Sequence, residues 1–348
     1  MRPSLLAPGL LAFVAPAFSQ IQYRGVDWSS ALIEERAGII YKDSAGVAKP
    51  LETILVEAGI NLVRQRVWVK DGDYGIDYNL ELAQRAVNAG MMFGLNLHLS
   101  NDWTNPELQE IPPEWPRDIE GLVTTVYGYV LGVCNTFEAA GLHPELITLG
   151  NEINSGILSP VGSYENPENL SLLLKTASQA VRDSSLSIQP KLLIHNTLCC
   201  DPSRPQWFYD LILGAGHLTL DDFDVQAFSM YPFWGPDNNF ELLKEMTSFL
   251  KSTYGKEVQI VESNYPTVCT NPTYEWPADI LDIPISVAGQ EIYLDRMGQV
   301  LNEAGINGYN YWEPAWVSFT SLGSSCEQAI LFDTNGQAHP GLAAIGRM

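Results

Sequence analysis

Two glutamates stand where apolar stretches of the sequence give way to polar residues. Glu152 ends the string LGNE (149–152), and Glu262 ends the string QIVE (259–262). Glycoside hydrolysis needs two carboxyl groups beside the scissile bond, because one acid protonates the leaving oxygen while the other, ionised, attacks the anomeric carbon. The two glutamates are candidates for these roles if the fold brings their side chains together.

The same chemistry needs groups that orient the carboxyls and surfaces that hold a sugar. Asn151 is suited to bond a sugar hydroxyl beside Glu152. We expect His98, Arg66 and Tyr231 to orient and polarise the two carboxylates. Further residues at predicted strand ends, the tryptophans by stacking on sugar rings, are expected to line or support the site: Asp27, Trp28, Trp68, Asp102, Trp103, Trp234, Trp312 and Trp316. Each residue alone is more often structural, but their joint occurrence at most of the strand ends favours catalysis.

One local pattern repeats along the chain and indicates how these residues are positioned. A helical stretch ends in Ala-Gly and an apolar run follows at once, with the glycines at Gly59, Gly90, Gly141 and Gly305. A glycine just past a helix end and a continuous apolar run are typical of a helix leading into a buried parallel strand. The pattern therefore predicts repeated βα units.

Eight such units are predicted. The predicted strands are 22–28, 60–68, 92–98, 145–151, 191–196, 224–230, 257–263 and 307–312. Helices are predicted between them, among them 79–89, 120–140, 168–183, 237–253 and 287–304. Eight units, with no glycine-rich phosphate loop after the first strand, favour a single-domain (β/α)₈ TIM barrel over residues 20–348. The strand ends carrying Glu152 and Glu262 then face each other across the barrel mouth.

The first residues and the overall charge suggest where the protein works. Arg2, an apolar run and small residues near position 19 form a signal peptide pattern over 1–19, too short to span a membrane. We therefore expect a secreted, extracellular protein, and a monomer. The net charge of −22 disfavours nucleic acid and anionic membranes as partners.

The five cysteines form an odd number, so at least one thiol is unpaired. A disulfide between Cys269 and Cys326 is favoured, because both lie in late loops that follow predicted strands. A bond between the adjacent Cys199 and Cys200 is disfavoured as strained.

Neither the cysteines nor the histidines show the spacing of a metal site, so no metal and no cofactor are expected. The sequon that begins at Asn169 lies in a surface-like helix start and predicts glycosylation.

The chain resembles glycoside hydrolase family 53, the arabinogalactan endo-β-1,4-galactanases, and most closely the fungal members. The resemblance is carried by YRGVDWSS (23–30), LVRQRVWV (62–69), LGNEINSGIL (149–158), SMYPFWG (229–235), IVESNYP (260–266) and YWEPAW (311–316). It implies a (β/α)₈ barrel and a retaining double displacement, with Glu152 as acid/base and Glu262 as nucleophile. It also implies internal cleavage of β-1,4-galactan, the neutral side chain of pectic type I arabinogalactan.

Two loops depart from the family pattern. HLSNDWTNP (98–106) has Leu99 in place of a tyrosine and Asn105 in place of an acidic residue. In HNTLCCDPSRPQW (195–207) the His is not followed by the Asp, Gly and Trp that the family often shows, so a stacking tryptophan is expected to be missing. These differences predict altered sugar subsites with the central chemistry kept. The alternatives are a mannanase or glucanase of the same barrel type and, more remotely, a barrel that binds carbohydrate or inhibits an enzyme without catalysis.

Overall fold

The computed structural model describes residues 21–348 and is built around a ring of eight parallel strands. The strands are β1 (Tyr23–Asp27), β2 (Leu62–Val67), β3 (Met92–Leu97), β4 (Leu146–Leu149), β5 (Gly156–Ile157), β6 (Gly162–Ser163), β7 (Lys191–Asn196), β8 (Val225–Ser229), β9 (Glu257–Glu262) and β10 (Gly308–Tyr311). The short strands β5 and β6 form a separate antiparallel pair, and the other eight close into a barrel. The predicted (β/α)₈ fold is confirmed.

The barrel closes in the order β1-β10-β9-β8-β7-β4-β3-β2, so strands that follow each other around the ring also follow each other along the chain. One irregularity lies between β8 and β9. Phe228 pairs with Ile260, but Ser229 pairs with Glu262, so Val261 is an extra residue in β9. This bulge sets Glu262 opposite Ser229 at the mouth of the barrel.

Helices connect the strands around the outside of the barrel. They are α1 (Ala31–Arg36), α2 (Leu51–Glu57), α3 (Ile76–Asn88), α4 (Ile119–Ala139), α5 (Pro167–Arg182), α6 (Ser203–Gly214), α7 (Phe240–Tyr254), α8 (Val287–Ala304) and α9 (Gly341–Arg347). Single 3₁₀ turns lie at Ile153–Ser155, Leu220–Asp222, Pro232–Trp234, Ala278–Ile280 and Val317–Phe319. The side chains of Asp118, Asn239 and Ser286 cap α4, α7 and α8 by accepting a backbone N–H of the first turn.

The four glycines expected to join helices to strands behave as predicted. Their φ angles are positive, 89° at Gly59, 82° at Gly90, 71° at Gly141 and 67° at Gly305. Side chains other than glycine rarely adopt this conformation, so these residues end the helices and turn the chain towards the next strand.

The lower part of the barrel is filled, which leaves the mouth as the place for a site. Its floor is an apolar cluster: Tyr23, Leu62, Leu146, Leu193, Val225, Ala227 and Val261. Beside this cluster, Asn310 packs on Gly25 and Gln259 packs on Gly308, each so closely that a Cβ atom on the glycine would collide with the amide side chain. Polar side chains therefore also lie inside the barrel.

Two disulfides lie within the described residues. Cys269 and Cys326 are bonded, as predicted, and tie the loop after β9 to the loop after β10. The expectation for the adjacent pair was wrong, because Cys199 and Cys200 are bonded to each other. The peptide between them is cis, and their Cα atoms are 3.0 Å apart. Cys134, buried in α4, carries the free thiol.

Two predictions concern processing of the chain. The signal peptide at 1–19 lies outside the described residues. Asn169 lies in α5 and is half-buried, and its side-chain amide donates to the Val161 carbonyl at 2.9 Å. Ser171 of the sequon is buried. Glycosylation of Asn169 stays a prediction. Among residues 21–348, no helix has the length and apolar character needed to cross a bilayer.

Candidate active site

A cavity of about 650 Å³ opens at the C-terminal ends of the barrel strands. Of the residues predicted for the site, those that line the cavity are Asp27, Arg66, His98, Trp103, Asn151, Glu152, Tyr231, Trp234, Glu262, Trp312 and Trp316. The three other predicted residues, Trp28, Trp68 and Asp102, are not among the lining residues. Trp28 is buried in the core. Trp68 is buried behind the wall, edge-on to Trp103 with ring centroids 5.6 Å apart. Asp102 is exposed and accepts the backbone N–H of Trp103 at 2.8 Å, so it shapes the loop.

Glu152 and Glu262 face each other within this cavity. One carboxylate oxygen of each lies within 4.8 Å of the other, and each residue is only 6% exposed. Glu152 follows β4 with left-handed backbone angles, φ 50° and ψ 52°. Glu262 ends β9 immediately after the bulge. The two sequence segments therefore meet as the eight-unit pattern predicted.

Two donors hold the carboxylate of Glu262. Arg64 donates from Nη1 to Glu262 Oε1 at 2.8 Å, and also to Asp27 at 2.9 Å. The Tyr231 hydroxyl donates to Glu262 Oε2 at 3.0 Å. Burial, and then the charge of Glu262, raises the pKa of Tyr231 well above its usual value, so this hydroxyl keeps its proton. Both donors hold the Glu262 carboxylate in a fixed orientation, as attack by a nucleophile requires.

Glu152 lies in a different environment. Its carboxyl bonds the Ser229 hydroxyl, with Oε1 and Oγ 2.6 Å apart. Burial, followed by the nearby charge of Glu262, raises the pKa of Glu152 to about 8. Glu152 is therefore protonated at neutral pH, as the acid of a glycosidase requires. The two glutamates lie in the unlike environments that acid catalysis and nucleophilic attack require, one bonded to a hydroxyl and the other to a guanidinium and a phenol.

The prediction that Arg66 orients the catalytic carboxylates is wrong. Arg66 pairs instead with the buried Glu313 at 2.6 Å. Arg64 and Arg66 both point into the barrel, but Arg64 is level with Asp27 and deeper, so it reaches Glu262. The alternation of side chains along β2 identified the inward face without showing which of the two arginines would meet the carboxylate.

The same prediction is wrong for His98. Its Nδ1 lies 2.9 Å from the Thr104 hydroxyl and its Nε2 lies 3.3 Å from Asn96 Nδ2. Burial, with Arg66 close by, holds the pKa of His98 well below its usual range, so the ring is neutral. His98 therefore supports the loop that carries Trp103, whose ring centroid is 6.4 Å away.

Asn151 is held firmly beside Glu152. Its Oδ1 accepts from Asn96 at 2.8 Å and from Arg64 at 3.1 Å, and its Nδ2 donates to the Thr104 carbonyl at 2.8 Å. One N–H of the amide remains for a ligand. The predicted hydrogen bond to a sugar hydroxyl stays a prediction, which this fixed orientation supports.

Sequence reasoning gave no role to Arg64, His195 or Ser229. His195 is fully buried, with Nε2 2.9 Å from Ser229 Oγ and Nδ1 3.3 Å from Arg64 Nη2. All three residues lie on inward-facing positions near strand ends. That position was the available signal, but serine and histidine are common enough there that the type of residue alone did not mark them.

Aromatic side chains form two walls around the glutamates. Trp103 and Trp316 are stacked, with centroids 5.9 Å apart and planes 18° apart, and the Arg66 guanidinium lies 4.3 Å from the Trp103 ring centroid. On the other side Trp234, which is 38% exposed, packs on Tyr231 at 4.5 Å. Apolar surfaces of this kind, with a few fixed polar groups, are typical of ligand-binding pockets.

Ligand atoms of Glu152, His195 and Glu262 all lie within 4.8 Å of one another, close enough to be considered for a metal ion. Arg64 already supplies a positive charge there, bonded to Glu262 and next to His195 Nδ1. A second cation beside the guanidinium would be repelled. The arrangement suits a hydrogen-bonded network better than metal coordination.

Comparison with known proteins agrees with this geometry. The family model described as glycosyl hydrolase family 53 matches residues 23–345. A probable arabinogalactan endo-beta-1,4-galactanase A of Aspergillus oryzae is 43% identical, over 95% of this chain and 96% of the relative. The arabinogalactan endo-beta-1,4-galactanase of Humicola insolens is 41% identical, over 94% of this chain and all of the relative. A solved fungal beta-1,4-galactanase superposes with a TM-score of 0.92 at 41% identity, over 94% of this chain and all of that one.

Proposed function

The chain belongs to glycosyl hydrolase family 53, and we propose that it is an arabinogalactan endo-β-1,4-galactanase. Its substrate is then a polysaccharide, the β-1,4-galactan side chain of type I arabinogalactan, cut internally to galacto-oligosaccharides. The observation that carries the proposal is the facing pair of glutamates in unlike environments, one held by Arg64 and Tyr231 and the other bonded to Ser229. The names of the relatives favour galactan over mannan or glucan.

In the first step Glu262 attacks the anomeric carbon of the bound galactosyl unit. The bond from this carbon to the glycosidic oxygen breaks, and Glu152 gives its proton to that oxygen. A glycosyl-enzyme ester on Glu262 results. Arg64 and Tyr231 hold the Glu262 carboxylate in place for attack, and the raised pKa of Glu152 keeps the acid loaded.

In the second step water replaces the enzyme at the anomeric carbon. Glu152, now ionised, accepts a proton from the water, a bond forms from the water oxygen to the carbon, and the ester bond to Glu262 breaks. Two displacements at one carbon retain its configuration. The closeness of the carboxyls supports this course. An oxygen of one lies within 4.8 Å of an oxygen of the other, which fits the roughly 5–5.5 Å between the carboxyls of retaining enzymes better than the roughly 6.5–9.5 Å of inverting ones.

The decisive experiment is digestion of linear β-1,4-galactan, mannan and cellulose, with the products sized and their anomers followed by NMR. We expect rapid shortening of galactan chains to oligosaccharides whose first-formed reducing ends are β. Cleavage of mannan or cellulose as fast as galactan, or faster, would show that galactan is not the preferred substrate. Reducing ends first formed as the α anomer would overturn the retaining mechanism.

Substitution of the two glutamates tests their roles. Glu152→Gln and Glu262→Gln are each expected to lower kcat on galactan by at least about 10³-fold, because each removes a group that acts in the transition state. Near-normal turnover by Glu262→Gln would show that another group is the nucleophile. Glu145→Gln is the matched control, since Glu145 binds the Tyr23 hydroxyl away from the cavity and should leave kcat unchanged. If the protein bound carbohydrate without catalysis, the parent itself would show no hydrolysis of galactan.

We further propose that the protein is secreted and acts as an extracellular monomer. The signal pattern at 1–19 and the disulfides between Cys269 and Cys326 and between Cys199 and Cys200 support secretion, because disulfides persist in oxidising compartments. N-terminal sequencing of protein from culture medium should begin at Gln20. Light scattering should give the mass of one chain.

A further inference from the structure

We propose that Ser229 is a positioning residue for Glu152. A hydrogen-bond relay from Arg64 through His195 directs the Ser229 hydroxyl to Glu152 Oε1 and so places the acidic proton of Glu152 on Oε2. The inference rests on the proposed function of Glu152 as the acid/base. It concerns residues to which the reasoning from sequence assigned no role.

The relay starts from the tautomer of His195. Its Nδ1 lies 3.3 Å from Arg64 Nη2, and a guanidinium nitrogen can only donate. Nδ1 is also 3.1 Å from Asn151 Oδ1, but the two lone pairs of that oxygen already accept from Asn96 and Arg64. Nδ1 therefore accepts from Arg64. Because burial and the nearby Arg64 hold the pKa of His195 well below its usual value, the ring is neutral and its single proton is on Nε2.

The proton on Nε2 determines what Ser229 does. Nε2 lies 2.9 Å from Ser229 Oγ and donates to it. The Ser229 hydroxyl can then donate one hydrogen bond, and two carboxyl groups lie near it. Glu152 Oε1 is at 2.6 Å and Glu262 Oε2 at 3.5 Å, so the hydroxyl donates to Glu152.

This direction has a consequence for each step of the reaction. In the first step Oε1 accepts from Ser229, so the proton that Glu152 transfers to the glycosidic oxygen is on Oε2. In the second step Glu152 is ionised, and the same hydrogen bond stabilises its carboxylate while it takes a proton from water. Ser229 thus serves both forms of Glu152 without itself exchanging a proton.

Other groups around the relay act on Glu152 without contacting its carboxyl. The titratable and charged groups that face it from the surrounding strands and loops are Asp27, Arg64, His98, His195, Tyr231 and Glu262. Burial and Glu262 raise the pKa of Glu152, whereas the Ser229 hydrogen bond, followed by Arg64, lowers it. Removal of the Ser229 hydroxyl should therefore move the pKa of Glu152 further up.

The test is Ser229→Ala in the full-length protein, with Ser229→Thr as the conservative variant. We expect the basic limb of the kcat/KM profile on galactan to move up by roughly one to two pH units in Ser229→Ala, as for loss of a hydrogen bond to a charged group. Ser229→Thr keeps a hydroxyl and should return the limb towards its original pH. Ser178→Ala is the matched control, because Ser178 is equally buried and donates to the Asp222 carbonyl within the helical layer.

A second measurement needs no substrate. Titration of the ¹³C-labelled Glu152 carboxyl by NMR should show the same upward shift in Ser229→Ala and none in Ser178→Ala. If Ser229→Ala is folded and its Glu152 titrates as in the parent, the relay is wrong, whatever the protein hydrolyses. If the parent fails to cleave galactan while the NMR shift is present, the proposed function is wrong and the relay stands.

Discussion

Glu152 and Glu262 have the same functional group and the same small exposure, yet their hydrogen-bond partners differ. Glu262 receives donors from Arg64 and Tyr231, whereas Glu152 bonds a single hydroxyl. Burial, followed by the charge of Glu262, raises the pKa of Glu152 more than the Ser229 hydrogen bond and Arg64 lower it. At the residue scale, the contact of Arg64 with Glu262 distinguishes the proposed nucleophile from the proposed acid/base.

The raised pKa of Glu152 predicts how stability changes with pH. In the unfolded chain Glu152 loses its proton near pH 4.5, whereas in the fold its pKa is about 8. Between these pH values only the folded state keeps the proton. The contribution of Glu152 to the free energy of unfolding is therefore greatest below pH 4.5 and falls as the pH rises towards 8. Glu152→Gln does not titrate. Relative to the parent, it should gain about 3 kcal/mol between pH 4 and pH 7 in urea unfolding. A constant difference across this range would contradict the raised pKa.

Arg64 is predicted to be needed for stability as well as for activity. Arg64→Met leaves Asp27 and Glu262 buried without their cation, and breaking a buried ion pair in this way costs about 3–5 kcal/mol. Urea unfolding at pH 7 measures the loss. Arg36→Met is the control, since Arg36 and Asp73 form an exposed pair and its loss should cost less than about 1 kcal/mol. Equal losses for both variants would show that the buried pairing contributes little.

At the scale of elements, the loops after β9 and β10 behave as one unit. Cys269–Cys326 joins them, and Cys326 packs against Tyr231 and Phe233, with Trp312 at the edge of the same cluster. Tyr231 bonds the nucleophile and Trp312 lines the cavity. The disulfide therefore connects two loops to the side chains that meet the substrate.

Removal of this disulfide is predicted to weaken binding more than chemistry. The double variant Cys269→Ser with Cys326→Ser frees loops 57 residues apart in sequence, which costs up to about 4 kcal/mol of unfolding free energy. We expect KM for galactan to rise several-fold, with a smaller fall in kcat. Cys134→Ala removes a buried thiol that forms no disulfide and should leave KM unchanged. A fall in kcat at constant KM would contradict the assigned role of these loops.

Most elements could be predicted from the sequence because every barrel strand after β1 is a largely buried run that follows a helix. The predicted 191–196 coincides with β7, and the predicted 287–304 coincides with α8. Helices α1 and α2 have six and seven residues, too few turns to show a helical period. Within the site, strand position identified both glutamates. It did not separate Arg64 from Arg66, because that choice depends on the depth of each arginine in the closed barrel.

At the scale of the whole molecule, the formal charge of −22 surrounds a site built for a neutral sugar chain. Kinetics on isolated galactan should therefore change less than about twofold in KM between 0.05 and 0.5 M NaCl, because a neutral substrate feels no long-range field. Galactan still attached to an acidic galacturonan backbone should bind better as salt rises, since screening reduces repulsion. A salt dependence shared by both substrates would point to a local ionic contact with the sugar.

The left-handed backbone at Glu152 has a consequence for how such enzymes persist or disappear. At φ 50° the backbone conformation has a lower free energy for a glycine than for a glutamate. Replacement of Glu152 by glycine also removes a carboxyl that is costly to bury. A library screened for heat resistance alone would therefore accumulate replacements at this position and lose catalysis early. Lineages that keep Glu152 must be held there by selection on growth from the sugars released, and any lineage relieved of that selection would lose this residue among the first.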